Sequence, residues 1–76
     1  MNRIKSMKVG DKAVVTGFED GNEDYRNKIL SMGVSKDAEI TVTKKAPLGD
    51  PVEIEVRGYK LTLRKEEAEI IKLRRL

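Results

Sequence analysis

Apolar and polar residues alternate along much of this chain, and the alternation falls into about five short runs. KAVVTGF, Lys12 to Phe18, is β-branched and reads as a strand. Gly17 inside it predicts a bend or bulge, the device with which small barrels turn corners. AEITVTKKA, Ala38 to Ala46, sets Ile40 and Val42 against Glu39, Thr41 and Thr43. VEIEVR directs Val52, Ile54 and Val56 inward and Glu53 and Glu55 outward. YKLTLR directs Tyr59, Leu61 and Leu63 inward, and EIIKLRRL supplies a last short strand through Ile70, Ile71 and Leu73. Between the first two runs the period changes. Tyr25, Ile29 and Met32, with Leu30 alongside, recur at helical spacing, which predicts a helix over Asn22–Met32. Asn22 can cap its orphan N–H groups, and Glu23 and Asp24 stand where the helix dipole favours acids. Gly33 suits the left-handed residue that ends a helix, with Val34 folding back onto Ile29.

Turn residues punctuate the runs. Gly10-Asp11 precedes the first strand, and Arg57-Gly58 joins two others. In APLGDP, Pro47 at the second position and Gly49 at the fourth suit a type I turn, and Asp50-Pro51 prolongs the loop. KEEAE reads as one helical or 3₁₀ turn. The expected fold is therefore mainly β: a small, partly open SH3-like barrel of about five strands, with one short helix inserted after the first strand and an OB-like barrel as the alternative. The helix, too short to persist alone in water, would plug an open end or lie across the barrel. A chain of 76 residues is expected to form a single domain spanning 1–76 with a small core.

Composition narrows the chemistry. The chain has no Cys and no His, so disulfides, zinc sites of the usual kind and His-dependent triads are excluded. It has no GxxxxGK[ST] phosphate loop. No apolar run approaches the roughly 18–20 residues that span a bilayer, and Met1 to Gly10 has no signal-peptide core. The expectation is a cytoplasmic protein with no direct membrane insertion, no cofactor and no enzymatic activity. Sixteen Lys and Arg against thirteen Asp and Glu leave a net charge of +3. The basic ends (Arg3, Lys5 and Lys8; Lys72, Arg74 and Arg75) and a pI of 9.3 support an alternative, a barrel that binds nucleic acid. Phe18, Tyr25 and Tyr59 are too few for a base-stacking platform, and the two tyrosines are expected in the core with their hydroxyls at the surface.

Other clusters have ordinary readings. Asp20, Glu23 and Asp24 lack the spacing of a calcium loop and read as acids at a helix start. Glu53 and Glu55 read as partners of Lys60 or Arg64 in cross-strand ion pairs. The strand near Ala38 to Ala46 is a candidate sheet edge for self-association, with Lys44 and Lys45 discouraging it. Leu48, at a turn tip where no packing rule requires an apolar residue, either folds under its loop or anchors a protein partner. Leu30 and Met32 offer a second apolar patch or, for Met32, core filling.

RNKILSMGV, followed by APLGDPVEIEVRGYKLTLRKEEAEII, closely resembles the FeoA family, small cytoplasmic proteins associated with bacterial ferrous iron uptake. The resemblance runs from Met7 to Leu73. It implies an SH3-like barrel and a partner, FeoB, a membrane ferrous iron transporter with a cytoplasmic GTPase domain. The role implied is that of an accessory or regulator. Contact residues would come from Pro47, Leu48, Gly49 and Asp50, helped by Leu30 and Met32, with Arg57 and Arg64 supplying charge. A narrower variant has an arginine entering the transporter's GTPase site, worth about 10³–10⁵ in rate. An iron pathway does not imply that this chain binds iron: without His or Cys, tight Fe²⁺ binding is disfavoured.

Overall fold

Five antiparallel strands and two helices make up the computed structural model, which describes residues 3–76. In chain order they are β1 (Lys12–Phe18), α1 (Glu23–Ser31), β2 (Glu39–Lys45), β3 (Val52–Val56), β4 (Tyr59–Leu63), α2 (Lys65–Glu69) and β5 (Ile71–Arg75), preceded by a 3₁₀ turn at Ile4–Ser6. The sheet order is β4-β3-β2-β1-β5. The alternation in the sequence is the reason these segments are strands: Val15, Ile40, Val42, Ile54, Leu63 and Ile71 have no exposed surface, while the residues between them face water. The bulge expected at Gly17 is present as a register shift between Val15 and Gly17 in the β1–β5 pair. A second shift lies between Val42 and Lys44 where β2 meets β3.

The helix is built as its sequence dictates. The Asn22 side chain accepts from the Tyr25 N–H at 3.3 Å. At the other end Gly33 has φ +94, its N–H donates to Leu30 O at 3.0 Å, and the Val34 N–H donates to Ile29 O at 3.3 Å. These two bonds are the Schellman closure, and they bury Val34 beside Ile29. Ile29 is the one fully buried residue of α1, so the helix is held by one deep contact, by Met32 packed against the core and by an ion pair to α2.

Several expectations change. β2 lies between β3 and β1, so the strand from Ala38 to Ala46 is interior and offers no edge; β4 and β5 are the outer strands. Pairing order is a long-range property that alternation along one strand does not encode. Tyr59 is 43% exposed rather than buried, because it sits at the start of an outer strand beside a tight turn. The carboxylates of Glu53 and Glu55 make none of the ion pairs found among the described residues. Glu53 instead accepts from Thr43 Oγ1 at 2.9 Å across the β2–β3 pair. Ile4 and Met7, outside any periodic run, are both core residues. Their segment is tied down by the Lys45 ammonium, which donates to the carbonyls of Lys5 at 3.1 Å and Met7 at 2.9 Å.

Candidate partner-binding surface

The β2–β3 loop is anchored at its feet and bare at its tip. The Ala46 N–H donates to Pro51 O at 3.1 Å, closing the base. The Gly49 N–H donates to Ala46 O at 2.7 Å, closing a four-residue turn with Pro47 and Leu48 at its centre. Gly49 has φ +83, a value that favours glycine there. The Asp50–Pro51 bond is cis. One Asp50 carboxylate oxygen accepts from the Lys65 N–H at 2.9 Å, pinning the loop to the start of α2. Leu48 is 96% exposed, so it does not fold under the loop. Pro47 pre-sets the turn, and the turn directs the leucine into solvent, where it buries nothing.

The opposite end of the β3–β4 hairpin is tied shut. Arg57 and Gly58 have φ +52 and +86, which gives the two-residue turn that matches strand twist. The Arg57 guanidinium donates to Gly33 O at 3.1 Å and to Ser35 Oγ at 2.8 Å. The Tyr59 hydroxyl donates to Met32 O. Arg57 and Tyr59 thus clamp the C-terminus of α1, where orphan carbonyls need donors. Leu30 is 38% exposed beside this clamp, and Met32 is half-buried.

The eight candidate residues therefore do not converge. Pro47, Leu48, Gly49 and Asp50 lie at one end of β3, with Arg64 lining the same groove as Asp50 and Pro51. Leu30, Met32 and Arg57 lie at the other. The five residues of β3 put about 13 Å between the two ends.

Beside the loop sits a charged feature that sequence reasoning passed over. Glu67 is 3% exposed in α2. Its carboxylate accepts from the Arg64 N–H at 2.9 Å and from the Lys28 ammonium of α1. Burial pushes its pKa up, but the Lys28 hydrogen bond, the Arg64 N–H and the charges of Lys28 and Arg64 outweigh that and hold it below the ordinary value. The signal was available: Glu67 stands three residues after Arg64, the spacing of a helix N-terminal capping glutamate. Lys28, Asp50, Pro51, Thr62, Arg64 and Glu67 line an open groove of 310 Å³. Asp20, Glu23 and Asp24 are exposed, and the described residues contain no group of three or more His, Cys, Asp or Glu placed to hold a metal ion.

Comparison with known proteins gives a consistent result. The family model for the FeoA domain matches residues 3–75. A Fe(2+) transport protein A/Fe(2+) transporter FeoB fusion protein of Porphyromonas gingivalis is 39% identical over 66 residues, which are 87% of this chain and 8% of that much longer protein. The NMR structure of an FeoA-like protein from Clostridium acetobutylicum, 36% identical, matches with a TM-score of 0.89 over 99% of this chain and 86% of that one. FeoA of Stenotrophomonas maltophilia, solved with zinc and described as a prokaryotic SH3 domain protein, is 22% identical and has a TM-score of 0.83. It covers 97% of this chain and 91% of its own. At that identity the likeness carries the fold alone, and the fold is SH3-like.

Proposed function

The chain belongs to the FeoA family, which is linked to ferrous iron transport, and from that premise we propose that it is a regulatory binding module for a FeoB-type ferrous iron transporter. The observation that carries this reading is the fusion relative, in which an iron transport protein A and a FeoB transporter occupy one polypeptide. Two units joined in one chain work at a high effective concentration, a relation that two separate chains reproduce by binding. The module acts on the cytoplasmic side, contributes a surface rather than a reaction, and leaves nucleotide chemistry and transport to its partner. No helix among the described residues is long and apolar enough to cross a membrane.

Leu48 is the proposed anchor. The backbone under this 96% exposed leucine is already pinned, so burying the side chain in a partner's pocket gains apolar area at little backbone cost. Pro47 and Gly49 fix its direction, and Asp50 and Arg64 supply polar rim contacts. Arg57, held by Gly33 and Ser35, serves more as a clamp than as a free cation. The test is a titration of the chain against the intact transporter in lipid nanodiscs, with and without GTP. Saturable binding, with an affinity that changes with nucleotide, is expected. No binding in either state at micromolar concentrations would overturn the proposal.

One observation favours a second reading. Arg3, Lys5, Lys45 and Lys65 line a single cleft against one carboxylate, Glu69, a net basic surface of the kind nucleic acid uses. Two of the four are already engaged, Arg3 with Glu19 and Lys45 with backbone carbonyls. Binding of this kind would be strongest at low salt, and its absence at about 50 mM salt would remove the reading.

A further inference from the structure

One short helix, α2, is fastened both to the loop that carries Leu48 and to α1. At its start two consecutive N–H groups are claimed by different partners. The Arg64 N–H donates to Glu67 Oε1 at 2.9 Å, and the Lys65 N–H donates to Asp50 Oδ1 at 2.9 Å. The other Glu67 oxygen, Oε2, accepts from the Lys28 ammonium of α1. Lys28, Asp50, Arg64 and Glu67 line one groove. Three hydrogen bonds through one turn of α2 thus join the foot of the loop to α1. The arrangement has little slack. Glu67 is 3% exposed, so its carboxylate has little water to turn to, and each of its oxygens is committed. A shift of Lys28 turns that carboxylate against the Arg64 N–H, and a shift of Asp50 moves the next N–H along.

α1 is the element able to respond. Ile29 is its one buried residue, and the rest of the helix is exposed apart from half-buried Tyr25. Nine residues do not stay helical in water once they leave the barrel. α1 therefore has two states, docked and helical or undocked and melted. With so few buried contacts it opens at less cost than the sheet. Arg57 and Tyr59 hold the carbonyls at its C-terminus, and the Lys28–Glu67 pair ties it to α2.

We propose that the first turn of α2 couples the Leu48 loop to α1. Fixing the loop holds Asp50 on the Lys65 N–H, steadies Glu67 and favours docked α1. The coupling is reciprocal, so docked α1 presets the loop for its partner. What grips the loop rests on the transporter reading; the coupling itself belongs to the free chain.

Amide hydrogen exchange, followed residue by residue by NMR on the free chain, measures the opening of α1 directly. Asp50→Ala removes the acceptor of the Lys65 N–H, and Asp50 makes no hydrogen bond to α1. Exchange at Lys28 to Met32 should rise about threefold more than exchange at Ile40 and Val42, which are buried in the sheet. In a Glu67→Gln background, where the charge facing Lys28 is already gone, the same substitution should change α1 by less than about 1.5-fold beyond the sheet. In the reverse direction, Lys28→Met should speed exchange of the Lys65 amide about threefold, and it decides the matter if Asp50→Ala does not fold. Unchanged exchange at Lys65 in Lys28→Met, unchanged exchange of α1 in Asp50→Ala, equal effects on α1 and the sheet, or an undiminished effect with Glu67→Gln present would each overturn the coupling. None of these readings involves the transporter, so the coupling and the transporter reading fail separately.

Discussion

The two ends of the β3–β4 hairpin use their side chains differently. At the Arg57–Gly58 end two polar side chains are turned back onto α1: Arg57 holds Gly33 and Ser35, and Tyr59 holds Met32. At the Ala46–Pro51 end the loop is fastened at its feet by Ala46, Gly49 and Asp50, and its tip presents a leucine to solvent. The first end has spent its side chains on closing a helix, so its residues should matter to stability. The second exposes a leucine that contributes nothing to packing in the free protein. An exposed residue with no internal role is the better candidate for an external one, and that difference ranks the eight candidate residues more sharply than the sequence could.

The comparison can be broken most easily at Gly33. Its φ of +94 is strained for any other residue, and an added Cβ would fall on the Tyr59 hydroxyl. Gly33→Ala should destabilise the fold by about 2 kcal/mol, read as a lower thermal midpoint by circular dichroism. A change under about 0.5 kcal/mol would show that the clamp yields freely.

At the loop end the same kind of stability is expected in the base, not the tip. Glu67→Gln keeps an acceptor for the Arg64 N–H but loses the charge facing Lys28, and should cost about 1–2 kcal/mol at neutral pH. The folded-state pKa of Glu67 lies below its ordinary value of 4.5. Its contribution is therefore complete above the unfolded pKa and is lost as pH falls through the folded one. The stability gap between wild type and Glu67→Gln should hold at neutral pH and close in the acid range below 4.5, in denaturant titrations at several pH values. A gap that does not depend on pH would contradict the charge assignment.

Tyr59→Phe removes one hydrogen bond to the end of α1 and should cost about 1 kcal/mol. Faster amide exchange confined to the last turn of α1 would locate the loss. The smallest stability effect belongs to Leu48→Asp, within about 0.5 kcal/mol, because a side chain that is 96% exposed has nothing to lose on unfolding. If Leu48→Asp melted earlier than Tyr59→Phe, the contrast between the two ends would fail.

The strands and α1 were legible because each carries its own signature. Alternation placed β1 through β5, and Asn22 and Gly33 bounded the helix to within a residue. The exposure of Leu48 was readable in part, since Pro47 and Gly49 announce a turn but not which way its centre faces. What escaped depends on distant partners. The interior place of β2 follows from its pairing with both β1 and β3. The clamp at Tyr59 follows from a carbonyl 27 residues away, and the Glu67–Lys28 pair joins residues 39 apart. Ile4 and Met7 entered the core without any periodic neighbour to announce them. The separation of the eight candidate residues into two groups has the same origin, since neither group is contiguous in sequence.

The central claim, that the loop tip is kept for a partner, is tested most directly by one paired measurement. Wild type and Leu48→Asp are titrated against the transporter in nanodiscs, with thermal unfolding of each recorded alongside. The account predicts unchanged unfolding and an affinity at least about tenfold weaker for Leu48→Asp, as expected for an anchor residue. Equal affinities with equal stabilities would contradict it.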